Sequence, residues 1–371
     1  MHFKIKKSLF YNSLLIVQKA VASYSPIPAL SGIKLDIFKD KIILIGSNSD
    51  ISIKKEIELN EENFSVINEG SIVIDSKYLL DIVRKIDHDE IEVELIDGSL
   101  TKFRGLSTQF NINGINAFEY PKIDFSSSNQ SIKINGGLFT KIINQTKFAA
   151  SDKEIRPILT GVNITNTSEG LQFIATDSYR LAKKSIAFDN LSNFNITIPS
   201  KSLGDISSLF DHNEDVELVI FNNKVQFMFD ETIIQTRLID GVYPETSRLI
   251  PTEFDYELVI DSRDLMNAID RASLIKSDGI SIVKMNLSFD ELVVSSKSLE
   301  IGSSTEKLNS FVYKGEPLEI SFSGKYMYEA IKAIDDNEIR ICFSGSMKPF
   351  IIKGTTDESI VQLVLPVRTH I

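Results

Sequence analysis

The sequence predicts an α+β fold built from three tandem copies of one unit, each laying two helices on antiparallel sheets. Three observations carry that prediction. Ile74-Asp75-Ser76-Lys77-Tyr78-Leu79, Ile198-Pro199-Ser200-Lys201-Ser202-Leu203 and Phe322-Ser323-Gly324-Lys325-Tyr326-Met327 correspond, and Lys77, Lys201 and Lys325 stand 124 residues apart twice over. A second landmark keeps the same register: Asp87-His88-Asp89-Glu90-Ile91, Asp211-His212-Asn213-Glu214-Asp215-Val216 and Asp335-Asp336-Asn337-Glu338-Ile339. Short stretches with helical spacing are separated by long runs of period-two, β-branched sequence, a pattern that places helices on one face of antiparallel sheets.

Apolar residues at three- and four-residue spacing predict helices at about Lys7–Ala22, Ser76–Ile86, Gly137–Ser151, Ser200–Phe210, Ser262–Ile275 and Ser323–Ile334. Ser76, Ser200, Ser262 and Ser323 are the expected N-caps, because a serine oxygen can accept an otherwise orphaned N–H of the first turn. Strands are predicted where polar and apolar residues alternate, as in Lys41-Ile42-Ile43-Leu44-Ile45, Glu217-Leu218-Val219-Ile220-Phe221 and Glu319-Ile320-Ser321-Phe322. Asp97-Gly98, Asn222-Asn223 and Asp240-Gly241 mark turns between them. The polar stretch Ser126-Ser127-Ser128-Asn129-Gln130 and the junction Pro251-Thr252-Glu253-Phe254-Asp255 read as linkers. They divide the chain into domains 1–127, 128–253 and 254–371.

Composition narrows the class. The 371 residues are 42% hydrophobic and 25% charged, and no stretch approaches the ~20 apolar residues of a membrane-spanning helix. Cys342 is the single cysteine, which excludes an intrachain disulfide and any two-cysteine metal or redox site and suits a reducing compartment. Lys4, Lys6 and Lys7 ahead of Leu9–Val17 imitate a secretory signal, but Tyr11, Asn12 and Ser13 interrupt the apolar run, so an amphipathic first helix is expected.

The net charge of −11 argues against nucleic acid until the charges are placed. Counted over 6–23, 76–86, 137–151, 200–211, 262–276 and 323–334, the six predicted helices carry fourteen basic and six acidic residues, so the strands and loops hold the whole acidic excess. Helix-on-sheet units in a row end in open edge strands, which invite a further strand. Head-to-tail association of two such arcs can remove those edges by closing a ring. With helices lining the hole, the interior is basic, and it suits a phosphate-lined rod held without reading base edges.

Ala175-Thr176-Asp177-Ser178-Tyr179-Arg180-Leu181-Ala182, Leu238-Ile239-Asp240-Gly241-Val242-Tyr243-Pro244 and the ending Val364-Leu365-Pro366-Val367-Arg368, set in this threefold architecture, resemble the bacterial sliding clamps, the beta subunits of DNA polymerase III. The resemblance spans the chain. It implies three DNA-clamp domains per protomer, and a head-to-tail homodimeric ring of six domains with helices facing double-stranded DNA. The expected partners are the DNA polymerase III catalytic subunit, an ATP-driven clamp loader complex and other proteins with a clamp-binding motif. It implies a cytoplasmic processivity factor with no catalytic residues, no cofactor and no metal.

The resemblance further implies a groove for a short peptide between the second and third domains. Its walls would be Leu159, Thr176, Tyr179, Arg180, Leu181, Pro244, Leu249, Leu363, Leu365, Pro366, Val367 and Arg368, with Arg248, Tyr326 and Met347 alongside, and Arg180 is expected as a rim charge that orients the peptide. Relatives commonly carry histidine at the position of Tyr179. Arg84, Lys153 and Lys201 match backbone-contacting positions, and the helix charge count adds Lys77, Lys141 and Lys147. Tyr24 occupies a position where relatives often have arginine, and it can stack but cannot pair with phosphate. Phe110 and Ile112 of one protomer are expected against Leu274 and Ile275 of the next.

Rival readings are weaker. His2, His88, His212 and His370 are scattered, and no phosphate-binding glycine loop or serine elbow appears, so an enzyme is not expected. Asp87-His88-Asp89-Glu90 could be offered as a metal cluster, but its echoes lack equivalent ligands and an acidic turn after a helix is the expected reading. A DNA-independent repeat scaffold that binds only proteins is the alternative function.

Overall fold

The computed structural model describes every residue except Ser23, Glu61, 129–130, 189–192, Asp278 and 369–371. The end of the first linker and His370 thus lie outside the described residues. The first repeat runs β1 (His2–Lys6), α1 (Lys7–Gln18), β2 (Gly32–Ile37), β3 (Lys41–Ser47), β4 (Ile51–Glu58), β5 (Phe64–Asn68), β6 (Gly70–Asp75), α2 (Ser76–Lys85), β7 (Glu90–Asp97), β8 (Leu100–Arg104) and β9 (Gln109–Asn113). The second follows as β10 (Ile132–Asn135), α3 (Gly136–Thr146), β11 (Gly161–Thr167), β12 (Gly170–Thr176), β13 (Arg180–Ile186), β14 (Phe194–Pro199), α4 (Ser200–Ser207), β15 (Asp215–Phe221), β16 (Lys224–Phe229) and β17 (Thr232–Arg237). The third is β18 (Tyr256–Asp261), α5 (Ser262–Ala272), β19 (Ile282–Leu287), β20 (Leu292–Ser298), β21 (Gly302–Leu308), β22 (Phe311–Lys314), β23 (Leu318–Ser323), α6 (Gly324–Lys332), β24 (Glu338–Phe343), β25 (Phe350–Gly354) and β26 (Ile360–Val364).

The two largest sheets cross the repeat boundaries. One is eight-stranded, β10-β15-β16-β17-β4-β3-β2-β6, and one nine-stranded, β14-β11-β12-β13-β26-β25-β24-β18-β22. A five-stranded sheet, β5-β1-β7-β8-β9, and a four-stranded one, β21-β20-β19-β23, complete the fold. All pairings are antiparallel. The chain accordingly falls into two compact units, Met1–Phe139 with Asp205–Leu238 and Thr140–Gly204 with Ile239–Ile371. Each unit takes half of the second repeat, because a ladder between repeats buries backbone as effectively as one within a repeat.

The helices are shorter than periodicity predicts. After Gln18 the chain tightens, with Lys19, Ala20 and Val21 N–H groups bonding back three residues, and the expected end of the third helix becomes a separate 3-10 turn at Lys147–Ala149. Two of the expected caps are displaced by one residue. Asp75 and Asp261, not Ser76 and Ser262, accept the first-turn N–H groups at 2.9–3.1 Å, while Ser262 Oγ donates to Asp336 O. A carboxylate carries more negative charge to the helix N-terminus than a hydroxyl does. Ser323 caps α6 as expected, accepting from Tyr326 N–H.

Helices pack in pairs, α1 on α2 and α5 on α6, over apolar sheet faces. In the third repeat Leu265 and Ile269 from α5 and Met327 and Ile331 from α6 meet Met285, Phe322 and Phe350 in one fully buried cluster. Among the described residues no helix is long and apolar enough to cross a membrane.

Two buried lysines break the alternation of the sheets at equivalent places. Lys55 on β4 and Lys184 on β13 point inward at the two inter-repeat ladders, β4·β17 and β13·β26. Lys55 Nζ lies 2.8 Å from Asp230 Oδ2, and Lys184 Nζ pairs with the Asp357 carboxylate and lies 2.6 Å from Ser359 Oγ. Each lysine thus bonds to the loop that leads into the partner strand. In the third repeat Glu306 on β21 holds the corresponding place, and Arg271 engages it at 2.5 and 2.8 Å.

Candidate functional site

The second unit brings the central residues of the expected groove together. The loop between β12 and β13 is organised by Asp177, whose Oδ1 accepts the N–H groups of Tyr179 and Arg180 at 2.9 and 3.0 Å, and Ser178 takes the left-handed φ of 77° that the tight turn requires. Thr176 Oγ1 donates to Arg180 O at 2.6 Å. Beneath the turn, Leu159, Leu181 and Leu363 share a buried cluster with Ile174, Tyr243, Cys342 and Ile351, and Leu365 packs against it. Tyr243 Oη accepts the Thr176 N–H at 3.0 Å, so the Tyr243-Pro244 step is tied to the turn. Burial raises both the Tyr243 hydroxyl and the Cys342 thiol above their ordinary pKa values. Tyr243, Ile174, Ile351 and Cys342 were not expected here, although the repeated Tyr-Pro pair at 120–121 and 243–244 was a usable signal for the first.

Of the residues expected at the rim, Tyr179 is 63% exposed, Leu249 and Met347 are each about half exposed, Arg248 and Arg368 are exposed, and Pro244, Pro366 and Val367 are partly covered. The last described segment is tied down by two backbone bonds, Leu365 N–H to Tyr179 O at 2.9 Å and Val367 N–H to Ser321 O at 2.8 Å. The segment is therefore held against the β12–β13 turn and against β23.

Arg180 does not sit on the rim. Its side chain is 6% exposed, with Nε 3.0 Å from Asp177 Oδ2, Nη1 on the Glu329 carboxylate and Nη2 donating to Phe148 O. The guanidinium lies 4.4 Å from the Tyr326 ring centroid and 5.3 Å from that of Phe148. A planar five-donor group with two carboxylates and two rings around it is spent on holding β13 to α6, and that is why it cannot also serve as a mobile rim charge. Tyr326 is correspondingly a stacking partner of Arg180, and burial raises its hydroxyl pKa.

The candidates for DNA contact divide by environment. Tyr24, Lys77, Lys153 and Lys201 are exposed. Arg84 is exposed and paired with Asp81 at 2.7 Å, and Lys141 pairs with Asp335 at 3.0 Å, surface contacts of small energy that a phosphate can displace. Lys147 is half-buried beside Gly204 of α4. Arg84 shares a cleft of about 430 Å³ with Lys6, Lys7 and Tyr11, and Lys7 Nζ also donates to Ile86 O, at the C-terminal end of α2. Lys6 and Lys7 were absent from the expected contacts, though the helix charge count already contained them.

Phe110 and Ile112 are half-buried on β9, which pairs only with β8 among the described residues. The loop into β9 is fixed by Asp87, which accepts from Leu106 N–H, Ser107 N–H and Thr108 Oγ1 at 3.1, 3.1 and 2.7 Å. The Ser107 hydroxyl, which also donates to Asp87, and the Thr108 hydroxyl pull the Asp87 pKa well below the carboxylate range. The acidic turn is thus a loop clasp, and among the described residues no group of three or more His, Cys, Asp or Glu is placed to hold a metal ion. Leu274, 75% exposed, and half-buried Ile275 follow α5 rather than ending it.

Three family models cover the chain: the N-terminal domain of the DNA polymerase III beta subunit at residues 1–124, its central domain at 133–245 and its C-terminal domain at 247–368. The chain belongs to the DNA polymerase III beta subunit family. Similar curated members include the beta sliding clamp of Bacillus subtilis, 39% identical with both chains fully covered, and that of Staphylococcus aureus strain N315, 35% identical over the full length of both. Among solved structures, the sliding clamp of Bacillus subtilis aligns at TM-score 0.94 and 39% identity, and the beta subunit from Streptococcus pyogenes at 0.94 and 31%, each covering all of both chains. The chain therefore has the three-domain α+β architecture of the family.

Proposed function

We propose that this chain is a DNA sliding clamp, a non-catalytic processivity factor that encircles duplex DNA as a homodimer. It tethers the DNA polymerase III catalytic subunit and other proteins bearing a clamp-binding motif. The observation that carries the reading is the way the repeats join. Both inter-repeat ladders pair the last strand of one repeat with the third hairpin strand of the preceding one, β17 with β4 and β26 with β13. The same rule leaves β9 and β21 unmatched, each paired on one side only among the described residues. Pairing β9 of one protomer with β21 of another, twice, removes all such edges and closes a ring. Domain limits at 127 and 253 place one clamp domain in each repeat. The cytoplasm, where replication takes place, is the compartment this function requires.

Partner peptides would lie in the groove between the second and third repeats, with the aliphatic floor burying an anchor and Tyr179, Arg248 and Arg368 meeting its flanks. Deletion of Leu365–Ile371 should abolish binding of a peptide from the polymerase, read by isothermal titration, and full-strength binding would remove the groove assignment. DNA encirclement is tested separately. Protein loaded by its clamp loader and ATP should co-elute with nicked circular DNA and slide off once the circle is cut. Retention on the linear product, or none on the circle, would favour the DNA-independent scaffold.

A further inference from the structure

The geometry points to a second peptide groove, at the junction of the first and second repeats, that takes an extended acidic segment carrying an aliphatic side chain. The inference rests on the reading of the groove between the second and third repeats as a peptide site, because the two are built from the same parts. Pro28–Ser31 and Pro157–Thr160 are matching 3-10 turns followed by glycine, closed by Ser31 Oγ and Thr160 Oγ1 donating to Pro28 O and Pro157 O at 2.7 and 2.8 Å. They set Leu30 and Leu159 at corresponding places. Asn48 Oδ1 accepts the N–H groups of Asp50 and Ile51, both at 2.8 Å, as Asp177 does for Tyr179 and Arg180. Tyr120 is buried before Pro121 as Tyr243 is before Pro244, although the Tyr120 hydroxyl donates to Ile45 O at 3.5 Å whereas that of Tyr243 accepts the Thr176 N–H.

The floor is again apolar, with Leu30 and Ile123 packed against the Ala29, Val73 and Tyr120 cluster. A cleft of about 540 Å³ opens over it, within the range of ligand sites. Its walls differ in charge from those of the first groove. Lys122, Lys224 and Arg237 face Asp50 and Asp124, and Asp124 is already engaged by Lys224 at 3.6 Å and by Ser126 at 2.8 Å. Lys122 and Arg237 are exposed with no ion pair among the described residues. Two such cations over an aliphatic floor, on a chain of net charge −11, select an anionic occupant with an apolar side chain. A free inorganic anion would leave the floor unused.

The test uses the full chain and one probe, acetyl-Asp-Asp-Leu-(p-benzoylphenylalanine)-Leu-amide, irradiated and mapped by tryptic mass spectrometry. Adducts are expected both near Leu249 and Leu363 and near Leu30 and Ile123. Lys122→Glu combined with Arg237→Glu should reduce the second set at least tenfold and leave the first unchanged, since both side chains are exposed and remote from the core. Adducts confined to Leu249 and Leu363, or a second set indifferent to the double substitution, would overturn the second groove while leaving the first intact. Adducts confined to Leu30 and Ile123 would support the second groove and remove the peptide reading of the first. No adducts at either place would overturn both.

Discussion

Replacing Arg180 should loosen the fold around the groove before it affects any ligand contact. Removing the guanidinium leaves the Asp177 carboxylate, 11% exposed, and the Glu329 carboxylate without their shared cation, a change worth about 3 kcal/mol when a buried pair loses one partner. Arg180→Ala should therefore raise hydrogen exchange along β13 and lower the unfolding midpoint. Arg180→Lys should not restore either, because one ammonium cannot serve two carboxylates and Phe148 O while stacking on Tyr326. Unchanged exchange in Arg180→Ala, together with weakened peptide binding, would return the residue to the rim. Cys342 gives a second check at this scale. Burial raises its pKa above the ordinary thiol value, so the native protein should resist iodoacetamide at neutral pH and react once unfolded in urea.

Each inter-repeat ladder is a strand pair with a lysine sealed into it. At β13·β26 the two ends of the ion pair are unequal: the Lys184 side chain is 7% exposed and that of Asp357 40%. Asp357→Ala strands a buried cation, whereas Lys184→Met leaves a carboxylate that water can reach and fills the space with apolar atoms. The first substitution should therefore release β13 and β26 amides to exchange markedly faster than the second. Equal effects would mean that the pair contributes packing alone. Acid makes the same point without mutation. Burial pushes the Asp357 carboxyl up, but the Lys184 ammonium and the Ser359 hydroxyl and N–H outweigh it, so the folded pKa lies below 3.8. A lowered carboxylate stabilises the folded state above its unfolded pKa and loses that contribution as pH falls through the folded value. Protection of this ladder should hold from neutral pH to about 4 and decline below it.

Ring closure belongs to the whole molecule, and its edges make it testable. Leu274→Ala with Ile275→Ala should weaken the protomer interface by about 2 kcal/mol or more, roughly a thirtyfold rise in dimer Kd, seen as monomer in sedimentation at low concentration. An unaltered dimer would place the interface elsewhere. For the basic surface, changing Arg84, Lys153 and Lys201 to Glu should reduce the salt dependence of DNA retention by about one unit of slope for each phosphate that is no longer neutralised. An unchanged slope would remove these residues from the DNA-facing side.

Spacing and periodicity alone determined the threefold repeat, the six helix positions, the antiparallel strands, and a basic surplus carried on helices in an acidic chain. They are local or strictly periodic properties, and a 124-residue register survives without any tertiary pairing being known. The apolar cluster beneath the proposed groove was also legible, through the motif around Leu181 and the ending at Leu365. What tertiary structure decided was pairing at a distance. That the second repeat is shared between two units follows from the β4·β17 and β13·β26 ladders, which join residues more than 170 positions apart and have no signature in either strand. Arg180 reads in sequence like any turn-flanking arginine, and only the approach of Glu329 and Tyr326 turns it from a surface charge into a buried tie. The inward lysines look like lapses in a strand pattern until the aspartate of the next repeat arrives to meet them, because burial of a charge is decided by its partner and not by its own segment.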